Sequence, residues 1–144
     1  MLASLNSVGS SKNPEDDNAG TAQLDADITA VTMNGGVITS CYIDSVQAKV
    51  NFDTTGTITT DLSAPILTKN GMGEGYGLKA YAGSKYEWNE QAAAFAAYVT
   101  GKTAQEVAGI AVNEKTAPAD ADLAATVTIS IAGFQALIAK AAAQ

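Results

Sequence analysis

Residues 21–52 read TAQLDADITAVTMNGGVITSCYIDSVQAKVNF, and the alternation inside them decides the fold class. Ala22, Leu24, Ala26, Ile28 and Ala30 fall on one side of an extended chain, and Thr21, Gln23, Asp25, Asp27 and Thr29 on the other. A period of two, one side apolar and one polar, is the pattern of a half-buried antiparallel strand over residues 21–33. Val31 and Met33 stand in the opposite phase, which places a bulge or extra twist near the strand's end. Asn34-Gly35-Gly36 has the residues of a tight hairpin turn, so residues 37–43 return as the partner strand. Asp44-Ser45 interrupts that strand before Val46, Ala48, Val50 and Phe52 alternate again.

Working outward, residues 2–8 add a short first strand, supported by Leu5 and Val8. Residues 9–20 form a polar loop. Their Glu15-Asp16-Asp17 run lacks the spaced ligands and central glycine of a calcium loop and reads as solvated. Asp53-Thr54-Thr55-Gly56 is a second tight turn, residues 57–62 a short threonine-rich strand, and Pro65 ends the meander.

The second half is helical. Residues 69–101, KNGMGEGYGLKAYAGSKYEWNEQAAAFAAYVTG, join a glycine- and tyrosine-rich segment without regular structure to the clearest helix of the chain. Ser84 and Glu87 have the spacing of a capping box for a helix over residues 84–100. Trp88, Ala92, Phe95 and Val99 recur as one apolar stripe, and Gly101 stops it. Thr103 and Glu106 cap a short helix ended by Gly109. Residues 126–129 read as a brief strand, and Ser130 caps a last helix with Phe134, Leu137, Ile138 and Ala141 on its apolar side. Strands first and helices after describe a single α+β domain over residues 1–144, an antiparallel β-meander sheet with C-terminal helices packed on one face.

Composition narrows the chemistry. Fifteen acidic residues against eight basic ones give a net charge of −7, which argues against nucleic acid or an anionic membrane as partner. No apolar run is long enough to span a membrane. No signal peptide opens the chain, although a mature form would have lost one. Histidine is absent, which removes the commonest general base and the imidazole metal sites. The single cysteine, Cys41, excludes an internal disulfide and any cysteine-based zinc site, and its strand-like setting reads as buried and inert. The carboxylates are scattered, with no pair spaced as an acid–base couple. The glycine run at residues 71–77 does not fit GxGxxG, and Gly101-Lys102-Thr103 lacks the first glycine of a phosphate loop. The expectation is a domain without catalytic activity and without metal.

Candidate ligand-binding residues are Tyr76, Lys79, Tyr81 and Trp88. Aromatic rings beside a glycine-rich loop can stack on a planar ligand while backbone N–H groups approach it. The competing reading makes Trp88 the knob that joins helix to sheet and uses the tyrosines to pin the loop down. The ligand, a small molecule or a surface partner, and the oligomeric state are left open.

Two stretches carry a resemblance. GYGLKAYAGSKYEWNEQAAAFAAYVTGKTAQEVAGIAV and DADLAATVTISIAGFQALIAKA, with GTAQLDADITAVTMNGGVITSCYID upstream, resemble a group of uncharacterised secreted lipoproteins of anaerobic Firmicutes. The resemblance implies an extracytoplasmic domain, secreted or tethered at a bacterial surface by a lipid on a preceding segment. The chain is more weakly similar to FMN-binding domains of extracytoplasmic electron-transfer proteins, whose Asp-x-x-Ser-Gly-Ala-Thr motif precedes a C-terminal helix. Asp120, Ala125 and Thr126 stand at its Asp, Ala and Thr, while Leu123 and Ala124 replace the Ser and Gly. That similarity implies, as the alternative function, a redox carrier with FMN as cofactor, held at the Asp120–Thr126 motif covalently through Thr126, or non-covalently among Tyr76, Tyr81 and Trp88.

Overall fold

The computed structural model describes residues 1–144. Strands β1 (Leu2–Ser7), β2 (Gly20–Asn34) and β3 (Val37–Phe52) form one antiparallel sheet in the order β1-β2-β3. Gly35 and Gly36 make the β2–β3 turn with φ of 58° and 82°, a region that L side chains rarely adopt. Contrary to the sequence expectation, β3 runs unbroken through Asp44-Ser45. Asp44 Oδ1 accepts the N–H groups of Ser45 and Asn70, so the polar pair is satisfied inside the strand. The expected irregularity lies between Thr32 and Met33, and its extra residue is on β3. Thr32 pairs with Ser40 and Met33 with Ile38, leaving Thr39 over. Residues 57–62 do not form a strand. A single bridge joins Ile58 to Phe52, and the Asp61 carboxylate then accepts from Ser63 and turns the chain away.

The helices are α1 (Lys69–Met72), α2 (Leu78–Ala82), α3 (Trp88–Val99), α4 (Ala104–Ala108), α5 (Ala121–Ala124) and α6 (Ala132–Ala142), with a 3-10 turn at Gly73–Tyr76. The glycine-rich segment is thus a series of short helical turns, not an irregular loop. Residues 126–129 form no strand, because the N–H groups of Thr128 and Ile129 go to the side chain of Gln91. Ser130 does not cap α6, since its hydroxyl pairs with that of Thr116.

The α3 stripe is as the spacing predicts: Trp88, Ala92, Phe95 and Val99 are all buried. The helix packs on β3, while α6 packs on β1 and β2 with Phe134, Leu137, Ile138 and Ala141 inward. Phe134 joins the two helices, meeting Trp88 edge-on with centroids 5.9 Å apart and Phe95 at 5.4 Å. The fold is therefore α+β with its helices on one face of the sheet.

Which face is covered reverses the apparent logic of β2. Gln23, Thr29 and Val31 are buried, whereas Leu24 and Ile28 are 43% and 40% exposed. The helices sit over the hairpin end of the sheet, where Val31, Met33, Ile38 and Ile43 provide apolar side chains on the covered side. The period of two then carries Thr29, Asp27, Asp25 and Gln23 onto that same side farther along β2. Asp25 shows how the polar stretch is settled. Burial pushes its carboxyl up, but hydrogen bonds from Gln23, Gln47 and Ser10 outweigh this and hold it below the usual range.

Trp88 is the knob between α3, α6 and the sheet. Trp88→Ala should cost about 3–5 kcal/mol, as large buried aromatics do, read as a shift of the denaturant midpoint at unchanged slope.

Candidate functional site

Two buried polar side chains at the start of α3 place everything around it. Glu87 is 2% exposed, and its carboxylate accepts the N–H groups of Leu78 at 2.8 Å and Lys79 at 3.0 Å, the first residues of α2. Its own N–H donates to Glu90 Oε2 at 2.7 Å, so the residue that caps α3 is Glu87 and not Ser84. One turn on, Gln91 is fully buried. Its Nε2 donates to Ser84 Oγ and to the carbonyl of Tyr86, and its Oε1 accepts from the N–H groups of Thr128 and Ile129. Ser84 therefore holds Gln91 instead of capping the helix.

This frame disperses the aromatic set. Tyr76 is half-buried and Trp88 buried, and their rings share one cation: Lys69 Nζ lies 5.0 Å from each centroid. One face of each ring thus already holds an ammonium group. Tyr81 is 91% exposed, and Lys79 makes a surface ion pair with Glu90 at 2.8 Å. Tyr76 and Trp88 are brought together, while Tyr81 and Lys79 stand apart from them on the outer side of α2. Asp120 caps α5, accepting from the N–H groups of Asp122 and Leu123, and Thr126 Oγ1 donates to the Leu123 carbonyl. Both are committed to local turns. No three Cys, Asp or Glu side chains gather closely enough to hold a metal ion.

A concavity lies elsewhere, between α3 and the outer edge of β3. It has a volume of about 510 Å³ and is lined on one side by Thr39 to Ile43, on the other by Asn89, Ala93, Ala96, Ala97 and Thr100, with Asn70 at one end. Asn89, Ala93 and Ala97 follow one another at a spacing of four, so one side of the helix presents only small groups to the strand. Asn89 Oδ1 is buried there without a hydrogen-bond partner. Such an orphaned acceptor costs about 1–3 kcal/mol until a donor reaches it.

The strand side is an unpaired edge. Val31 spends its N–H and C=O on Met1, so Cys41 opposite it directs its own backbone groups out of the sheet. The edge is closed at both ends of this window. Ile38 exchanges hydrogen bonds with Gly101 and Lys102, and the Ile43 carbonyl accepts from Asn70 Nδ2 at 2.9 Å. Cys41 is half-buried, not buried as its setting suggests, because its side of β3 borders the groove. Burial pushes its thiol up despite an opposing contact with the Thr29 hydroxyl. The sequence alone did not mark this site. Its only signal is the row of small residues beside the apolar stripe, which a search for titratable or aromatic groups passes over.

No family model, curated protein or solved structure matches the chain.

Two measurements check the edge. The amide of Cys41 should exchange with solvent much faster than those of its neighbours Tyr42 and Asp44, whose register pairs them with β2. With its thiol held protonated by burial, Cys41 should react with a thiol reagent at pH 7 more slowly than free cysteine and recover the free rate on unfolding.

Proposed function

We propose that this chain is a non-catalytic binding domain that receives an extended peptide segment along the free edge of β3, in the groove beside α3. One observation carries the reading: the outward N–H and C=O of Cys41 lie unpaired next to an alanine-lined channel. Adding a strand to such an edge supplies main-chain hydrogen bonds, and the channel selects alternate side chains of the incoming segment. The window between Ile38 and Ile43 admits a short stretch of three to four residues, by the roughly 3.4 Å rise of a strand. Alanine walls favour small or medium apolar side chains. The orphaned Asn89 acceptor adds one polar demand, for a donor on the incoming segment. The groove's own titratable groups are a protonated thiol and a tyrosine, a set suited to holding a ligand more than to transforming one.

The resemblance to secreted lipoproteins supports placing this domain outside the cytoplasm, tethered by a lipid on a preceding segment. No helix is long and apolar enough to cross a membrane. In that setting the partner is a segment of another surface or secreted protein.

The test is a panel of short uncharged peptides with alternating small apolar residues, titrated against isotope-labelled protein. Binding should shift the amides of Cys41 and Ile43 together with Ala93 and Ala97, and should slow exchange at Cys41. Ala97→Leu fills the channel from an exposed helix position and should weaken binding about tenfold or more, or about 1.4 kcal/mol, without lowering the melting temperature. Peptides that leave the Cys41–Ile43 edge unshifted at saturating concentration would remove the reading.

A further inference from the structure

One apolar surface that this function leaves unused is the far face of the sheet. Leu2, Leu24, Ile28 and Tyr42 are 67%, 43%, 40% and 56% exposed there. The register sets Ala26, Val46 and Val50 among them, and the Phe52–Ile58 bridge extends the surface past the end of β3. The edges of the same sheet are treated differently. On the outer side of β1, Lys140 Nζ and Gln144 Nε2 donate to the carbonyls of Ser4 and Leu2, each at 2.8 Å. Along β3, Thr103 and Thr68 bridge Val37 and Val46 on either side of the groove. Side chains and loops thus blunt most of the edge, where uncontrolled strand addition would begin, while an apolar face is left bare.

We propose that this face is a dimer interface, on which a second copy of the chain packs sheet to sheet. Charge is the first argument for a second copy. Among the alternate positions that form the face, Asp44 alone is charged, and its carboxylate already accepts from Ser45, Asn70 and Tyr42. Apart from Asp44, which is buried and hydrogen-bonded within each copy, the negative charge sits off this surface, so two copies meet without bringing exposed like charges together. A basic or acidic partner would find no free opposite charge on it. Size is the second argument. Two long strands and one short one offer about 600 Å² of projected area per copy, and about 1,200 Å² per pair is the lower end of specific interfaces. Packed at about 10 Å, two such sheets bury aliphatic side chains on their inner faces as a sandwich does. A two-fold axis through the middle of the central strand sets Ala26 and Ile28 against their mates and closes the assembly at two.

The experiment is sedimentation velocity on the intact chain over a wide concentration range at physiological salt. The expected result is a reversible rise from 14.6 kDa towards twice that mass, with a Kd of about 1–100 µM for so small an interface. Added salt should tighten it, since it screens the repulsion between two acidic copies. Ile28→Lys places an ammonium group at the centre of the face and should weaken association about a hundredfold. Because Ile28 lies on the uncovered side, the variant should keep its circular dichroism and melting temperature, and Leu24→Lys should behave alike. Ala97→Leu, in the groove, should leave the dimer unchanged, which separates this inference from the peptide reading. A 14.6 kDa species at every concentration, association unaffected by Ile28→Lys, or growth beyond two copies would overturn it.

Discussion

The helical half of this molecule depends on the buried carboxylate of Glu87. A carboxylate this deep is costly unless its oxygens are filled, and here two backbone N–H groups at the start of α2 fill them. The same residue opens α3, so one side chain fixes the glycine-rich segment and the main helix relative to each other. Gln91 repeats the device one turn later, with every polar group of its amide engaged by residues 84–86 and 128–129. Three separate stretches of chain, residues 78–79, 84–86 and 128–129, are thereby held against α3 before any apolar contact is counted. The segment at residues 69–84 is part of the fold's frame: Glu87 holds the start of α2, while Asp44 and Thr68 take the N–H groups of Asn70 and Gly71 in α1.

With α3 fixed in this way, its small side chains determine what lies beside the sheet. On the Trp88–Phe95 side the helix meets α6 and β3 through large rings. On the Asn89–Ala97 side it has nothing large enough to reach the β3 edge, so the gap beside the strand stays open. A leucine at either alanine position would have covered that edge, as helices and loops usually do. The groove is thus a consequence of composition: alanine stabilises the helix by propensity while leaving the neighbouring strand uncovered.

The sequence made the sheet, its hairpin, the α3 and α6 stripes and the Thr103–Glu106 cap legible, because each follows from a period or a local spacing. What it hid were the features made by residues far apart. Glu87 reads as the far partner of a Ser84 cap because Leu78 and Lys79, its true partners, lie behind it in a segment that looks irregular. The strand at residues 126–129 is lost because Gln91, more than thirty residues away, takes its N–H groups. Alternation in β2 shows correctly that one side is apolar, but it cannot say which side the helices cover. That choice is made at the hairpin end by Val31, Met33, Ile38 and Ile43, and the rest of the strand follows in phase. The aromatic residues were the visible candidates for a site, yet Lys69 already lies between Tyr76 and Trp88. Unpaired backbone groups beside small side chains leave almost no trace in a sequence.

The two open surfaces of the sheet face in different directions. Edge groups such as the N–H and C=O of Cys41 lie in the plane of the sheet, whereas Leu24 and Ile28 stand perpendicular to it. They meet at Tyr42, which borders the groove and also stands exposed on the far face. A pair of copies joined through their faces would present two β3 edges, one from each sheet, at a fixed separation. Two weak strand additions made in this way reinforce each other when both partner segments belong to one molecule or one surface. Each copy's window is short, bounded by Ile38 and Ile43, and so offers few hydrogen bonds on its own. Pairing the windows would raise the avidity of the proposed strand addition without lengthening either.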